Sequence, residues 1–471
     1  MRYIPVFLTL LAPTAAFAQN AAPAPIPPTV LPSPKPNPGS NPAAATNNRP
    51  NSKGTVIAPA IDSDPDVAAM SKEEEKEEDR KKKLSELEDK AKENKPKAIL
   101  ELGVCYYYGR LGLEKDAKKA AELWRKGSDL NDRSNMFNLA GLYWKGEGVE
   151  RSADEALKLY QKAADFGFGP ANINAAQILD GRGEYESARP YYENAVEISR
   201  DMRAVKRLAA YSEQGLGGPK DIPKAVKLYR IGAENGDSYS QLKMADFYIN
   251  GTGMAEPNPQ EAMQWVMRAA DNGAPEAEAR MGWCYQNGQG VRKDNQVGFR
   301  WLQRAADQNF SPAQVAIGNC YAVGRGVPSD MTEAVRWYEK ASKDKNPQGL
   351  YNLGACKANG NGCKADLPEA IKLYRQAADA GYAQAQFVLG RMYLEGKEVK
   401  QDLVMARSLI QLAALQDHAD ALCELGRCYL NGVGVKVDLV QAEKFLLKSA
   451  ECGSDEGYAL HQKNFGESAQ R

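Results

Sequence analysis

The sequence predicts an all-α protein: an α-solenoid, or superhelix, of about ten antiparallel helix hairpins of ~36 residues each. Three observations carry that expectation. A small residue preceded by an apolar one recurs at Gly103, Ala140, Ala176, Ala209, Ala245, Gly282, Gly318, Gly354, Gly390 and Gly426, in steps of 37, 36, 33, 36, 37, 36, 36, 36 and 36. A glycine loop such as "NGQGV" or "NGVGV" follows in most copies. Beyond the loop an acid returns at Asp294, Asp330, Asp366, Asp402 and Asp438, again 36 apart.

In chain order, residues 1–18, "MRYIPVFLTLLAPTAAFA", combine Arg2, a short apolar run and Ala16-Phe17-Ala18, the pattern of a cleavable export signal ending at Ala18. The run is too short for the roughly 20 apolar residues a bilayer requires, and no later segment is long and apolar enough. A soluble chain, exported to a periplasm or secreted, is therefore expected. Residues 19–70 form a Pro/Ala/Asn-rich spacer, with ten prolines between Asn20 and Pro50, a composition unable to bury a core. Residues 71–96 read as a charged helix. Ser71 and Glu74 suit a capping box, acids precede bases as the helix dipole favours, and Leu84, Leu87 and Ala91 give one apolar stripe that would dock as a lid. Residues 97–453 hold the repeats, and 454–471 read as a polar segment that closes the stack.

Each unit divides into two helices. The first runs, for example, from Pro275 to Gln286 and stops at glycines that accept positive φ. The second starts at an N-cap, with Ser152 and Asp221 in the role of the aspartates, and Glu155, Glu333, Glu369 and Gln441 three residues on should complete capping boxes. Its interior carries small residues around a bulky pair, as in Ala334, Trp337, Tyr338, Ala341 and Ser342. A lone hairpin cannot cover its own apolar face, so copies must stack.

The segments "LGRCYLNGVGVKVDLVQAEKFLLKSAECG" and "MGWCYQNGQGVRKDNQVGFRWLQRAADQN" resemble Sel-one-like repeats, the glycine-looped relatives of tetratricopeptide repeats, in an exported bacterial-type member. The resemblance spans nearly all of 97–453. Repeat three, "DGRGEYESARPYYENAVEI", lacks the long loop and resembles a plain tetratricopeptide unit, and repeat four, with "EQGLGGPKD", is loose.

Chemistry-bearing residues are few. Lys plus Arg and Asp plus Glu each number 61, so no field draws the chain to nucleic acid. His418 and His461 are the only histidines, too few for a metal site or a Ser-His-Asp relay. Cys105, Cys284, Cys320, Cys356 and Cys428 share one column, occupied elsewhere by Leu142, Phe247 and Met392, which marks it as core. Stacked equivalents should lie about 8 to 10 Å apart, beyond the roughly 7 Å reach of a disulfide. Two pairings stay open in an oxidising compartment: Cys423 with Cys452, and Cys356 with Cys363. A tyrosine column, Tyr106, Tyr143, Tyr248, Tyr285, Tyr321, Tyr393 and Tyr429, broken by Lys357 and Ser212, reads as core with its hydroxyls at the groove edge.

The resemblance implies an assembly adaptor. It also raises a rival, since cysteine-rich secreted relatives are linked with penicillin binding and β-lactam hydrolysis. Ser-x-x-Lys, the nucleophile motif of such enzymes, occurs at Ser240–Lys243 and Ser342–Lys345, without Ser-Asp-Asn or Lys-Thr-Gly. With 21 serines, about two such matches arise by chance. The expectation is a non-catalytic scaffold, with no cofactor, metal or small-molecule substrate, that binds a protein, a peptide or an envelope polymer along the concave surface; the alternative is a cell-envelope hydrolase.

Overall fold

The computed structural model describes residues 77–253 and 256–466. The export signal 1–18, the spacer 19–70, the Ser71–Glu74 capping box and the terminal residues 467–471 lie outside the described residues. Among the described residues there are 22 helices and no strand. They fall into two compact bodies, and the division lies within one helix. The first body, to residue 268, holds α1 (Glu77–Lys92), α2 (Pro96–Tyr108), α3 (Ala117–Asp129), α4 (Arg133–Lys145), α5 (Ala153–Asp165), α6 (Gly169–Gly181), α7 (Tyr185–Ser199), α8 (Met202–Gln214), α9 (Ile222–Glu234), α10 (Ser238–Asn250) and most of α11 (Pro259–Asp271). The second, from 269, holds α12 (Pro275–Asn287), α13 (Asn295–Asp307), α14 (Ser311–Val323), α15 (Met331–Lys343), α16 (Pro347–Asn359), α17 (Leu367–Asp379), α18 (Ala383–Glu395), α19 (Leu403–Ala414), α20 (Ala419–Asn431), α21 (Leu439–Glu451) and α22 (Asp455–Phe465). Even-numbered helices from α2 to α20 are the first helix of a repeat, here A, and the odd-numbered ones from α3 to α21 the second, B.

The expected caps are in place. Asp294 accepts from the backbone N–H groups of Gln296 and Val297, and Asp330, Asp366, Asp402, Asp438, Ser152 and Asp221 cap their helices in the same way. A helices stop at a left-handed glycine, as at Gly288 (φ 73°) and Gly360 (φ 73°). The capping boxes, however, are only half made. The N-cap N–H does not meet the Glu side chain; it donates to the carbonyl of the tyrosine-column residue of its own repeat. Nine such bonds, from Asp116 to Tyr106 through Asp438 to Tyr429, measure 2.7–3.1 Å and close nine loops. Glu333 and Glu369, left free of that task, pair with Arg336 and Lys372. Because only a carbonyl is required, Ser212 and Lys357 serve in the column as well as tyrosine does.

The small-residue column exists for the B helix of the same hairpin. A Cβ at Gly318 would stand 2.5 Å from the Tyr338 ring, at Gly354 3.0 Å from Tyr374, and at Gly426 2.7 Å from Leu446. At Gly103 it would overlap the indole of Trp124, whose N–H donates to the Leu100 carbonyl. Each bulky B-helix side chain thus lies in a slot over its own A helix, and Trp124, Tyr338 and Tyr374 are buried there.

The glycine loop also joins successive repeats. A Cβ at Gly148 would run into the carbonyl of Ala117, at Gly326 into that of Asn295, and at Gly362 into that of Met331. In each case the obstacle is the first residue of the preceding B helix. The loop of one repeat therefore rests, backbone on backbone, on the B-helix start of the repeat before it. At the amino end α1 packs on α2 through the expected stripe, with Leu87 and Ala91 buried and Leu84 beside them, and Lys126 donates to the Ala91 carbonyl. At the other end α22 closes on α21, Gly457 approaching the Ser449 side chain.

Candidate functional site

With the columns facing B helices and loops committed to packing, the residue just after the small one on each A helix keeps chemical variety. It is Gln177, Asp246, Trp283, Asn319, Arg391 or Arg427 on six of the ten A helices, each partly or fully exposed, and Val104, Gly141, Ala210 or Ala355 on the other four, of which only Ala210 is not buried. This face is the candidate binding surface of each body. On the second body a cavity of about 150 Å³ opens between α12 and α14, lined by Ala279, Trp283, Gln286, Leu302, Pro312, Ala313 and Ala316. It exists because Leu302 stands 36 residues before Tyr338, where a ring would fill the space, and Ala316 stands 36 residues before Asn352.

In the tyrosine column three hydroxyls are held by arginine side chains. Tyr143, Tyr248 and Tyr393 accept from Arg125, Arg230 and Arg375 on the B helix of the preceding repeat, at 3.0, 3.3 and 3.1 Å. Buried hydroxyls that reach A-helix polar groups come from B helices at Tyr192, Tyr229 and Tyr338 and from the A helix α8 at Tyr211. Tyr192 and Tyr211 donate to Asp180, which also holds Arg207 in a two-pronged ion pair at 2.6 and 2.7 Å. Tyr229 donates to Glu213, and Tyr338 to Asn319. Sequence reasoning passed over the B-helix tyrosine column, although stepping 36 residues from Tyr338 to Tyr374 would have shown it.

Neither Ser-x-x-Lys match forms a nucleophile with a base. Ser240 is fully buried, and its hydroxyl donates to Asp237 at 2.7 Å as part of the helix start. Burial raises the Asp237 carboxyl, but the bonds from Lys206 and Ser240 outweigh it and hold the pKa below the usual value. Lys243 lies at 2.9 Å from Glu213 of the previous repeat, and although burial lowers its pKa, that carboxylate outweighs the effect and raises it. A lysine held as an ammonium cannot take the proton of a serine. Ser342 donates to the Glu339 carbonyl, while Lys345 occupies a left-handed turn with φ 55°.

All eight cysteines are free thiols. Cys356 is buried and Cys363, half-buried, packs on the same apolar cluster; Cys423 is buried and Cys452 exposed. Burial pushes Cys105, Cys284 and Cys428 up to about 11 and Cys356 and Cys423 up to about 12, so these sulfurs are protonated and poor nucleophiles. His418 caps α20, its Nδ1 accepting from the Ala421 N–H at 3.2 Å while Nε2 meets Gln384. Burial lowers its pKa and favours the neutral ring that this cap needs. His461 lies 3.9 Å from Glu443. No helix among the described residues is long and apolar enough to cross a membrane.

The Sel1 repeat profile matches residues 96–132, 136–167, 203–237, 238–273, 275–310, 311–346, 347–382, 383–418 and 419–454. Nine repeats are covered, and the unmatched stretch is repeat three, the one without a long glycine loop. The chain is 27% identical over 224 residues to a chitin synthase regulator, SKT5, of Saccharomyces cerevisiae, covering 47% of this chain and 29% of that protein. It is 26% identical over 217 residues to chitin synthase regulatory factor 3 of Schizosaccharomyces pombe, covering 43% and 23%. The chain thus spans less than a third of the length of either curated relative. Among solved structures it is similar to c5321, a protective antigen of uropathogenic Escherichia coli with an SLR fold, at 25% identity and a TM-score of 0.55, covering 81% of this chain and 94% of that one.

Proposed function

The chain belongs to the Sel1 repeat family, and from that premise we propose that it is an exported, non-catalytic scaffold that binds a protein, peptide or envelope polymer along the exposed A-helix face. The division of labour within the repeat carries this reading. Recurrent columns hold hairpins and loops together, while the position after the small residue changes from Trp283 to Asn319 to Ala355 to Arg391 to Arg427. Such a surface gains affinity by adding modest contacts over many repeats. Two matched relatives bear names of regulators of an enzyme, which supports action upon another protein. The balance of 61 basic and 61 acidic residues supports a protein partner over nucleic acid. Residues 1–18 support export to a periplasm or beyond. In an oxidising compartment Cys356 with Cys363, and Cys423 with Cys452, are the pairs to close; mass spectrometry of unreduced peptides reports on both.

The test is crosslinking and co-purification from native envelope with the full chain. Single A-face changes, Trp283→Ala or Arg391→Ala, should each weaken capture several-fold, and the pair more. Nitrocefin turnover abolished by Ser240→Ala would overturn the reading in favour of a hydrolase.

A further inference from the structure

Exposed large apolar side chains are concentrated at one end of the second body. Of seventeen among the described residues, ten lie between Val404 and Tyr458. Six of them surround the last glycine loop: Val404 (79% exposed), Met405, Val433, Val437, Leu439 and Val440 (75% exposed). They are neighbours in space, since a Cβ at Gly434 would lie 3.4 Å from the Leu403 side chain and one at Gly432 3.0 Å from Val437.

Repeat arithmetic shows that this end differs from the array before it. Val433 stands 36 residues after Lys397, and 72 and 108 after Asn361 and Arg325. Met405 stands 36 after Glu369, and Val437 36 after Gln401. Polar positions of earlier repeats have become apolar where they face water.

We propose that this surface is the interface of a homodimer, with a second copy of the chain as its occupant. The six residues expose roughly 600 Å² of largely apolar surface, which matches the apolar share of the ~800 Å² that one partner contributes to a standard interface. The exposed charges around it are mixed: Lys400, Arg407, Lys436 and Lys444 against Asp402, Asp438 and Glu443. A two-fold contact sets such a rim against itself with opposite signs in reach. An anionic lipid surface would call for a cluster of basic residues, whereas here acids are interspersed among the bases.

Sedimentation velocity of the full chain, from about 1 to about 100 μM as suits a contact of this size, should show twice the chain mass at the upper end. Val404→Glu combined with Val440→Glu should return the monomer and raise the dimer dissociation constant at least 100-fold. Its thermal unfolding should match that of the wild-type chain at concentrations where the wild type is monomeric, because both side chains are in water there. Val323→Glu, an exposed valine elsewhere in the same body, should leave the dimer intact. A wild-type chain that stays monomeric at the highest concentration overturns the proposal, as does a dimer that survives the double change. Liposome binding by a monomer through these same residues also overturns it.

Discussion

Gly362→Ala probes the loop that joins repeats seven and eight. Gly362 has φ +69°, and a Cβ there would run into the carbonyl of Met331 at the start of α15. Gly381, in the turn between α17 and α18, has φ +86° and nothing within 4 Å of the added atom. Both substitutions place alanine in the left-handed region, at about 1 to 2 kcal/mol. Only Gly362→Ala must in addition push two backbones apart, and overpacking of that kind adds about 1 to 3 kcal/mol. The expected losses are therefore about 1 to 2 kcal/mol for Gly381→Ala and about 2 to 5 kcal/mol for Gly362→Ala. Urea unfolding followed by circular dichroism gives the totals, and native-state hydrogen exchange on α15 and α16 gives the location. Equal losses, with no excess exchange at the start of α15, would refute the view that the loop is an inter-repeat contact.

Gly103→Ala should destabilise the first hairpin by about 1 to 3 kcal/mol and alter tryptophan emission, because the Trp124 indole must leave its slot and its bond to Leu100. Asp330→Ala should cost about 1 kcal/mol, read by thermal melting, since its carboxylate caps the Thr332 and Glu333 N–H groups while the loop-closing bond to Tyr321 uses only backbone. His418 has a lowered folded pKa, so the unfolded chain binds the proton more readily. Its contribution is complete above the unfolded value of about 6.5 and is lost as pH falls through that value towards the folded one. His418→Asn, which keeps a cap, should remove this part of the acid sensitivity of α20 in hydrogen exchange. Iodoacetamide at mildly alkaline pH should label exposed Cys452 well before buried Cys284, Cys356 or Cys428, by peptide mass spectrometry.

The frame of this molecule could be read from spacing because its determinants are local. A left-handed glycine, an N-cap aspartate and an apolar step of 36 residues each act within one hairpin, and the letters announce them. Harder to read was where a polar group would spend its bonds. Glu333 has the spacing of a capping-box partner, but the N–H it would meet is taken by the Tyr321 carbonyl, and carbonyls leave no trace in a sequence. The hydroxyls of Tyr143, Tyr248 and Tyr393 are held by Arg125, Arg230 and Arg375, a matter of rotamer and neighbour. The Ser240 motif was legible as letters, yet only three-dimensional placement ties Lys243 to Glu213, thirty residues earlier. As for the binding face, Trp283, Asn319 and Arg391 show variety without naming what they touch.

Since loops such as those at Gly148, Gly326 and Gly362 lean backwards onto the helix start that precedes them, each body has a grain. The loop of the first hairpin has nothing to lean on, and a Cβ at Gly112 would meet open space. A hairpin appended at the carboxyl end would bring its own fastening and require no change upstream, whereas one inserted before α2 would need a start shaped to receive an existing loop. Gain and loss of copies during descent should therefore be easier on the carboxyl side of an existing hairpin than on its amino side.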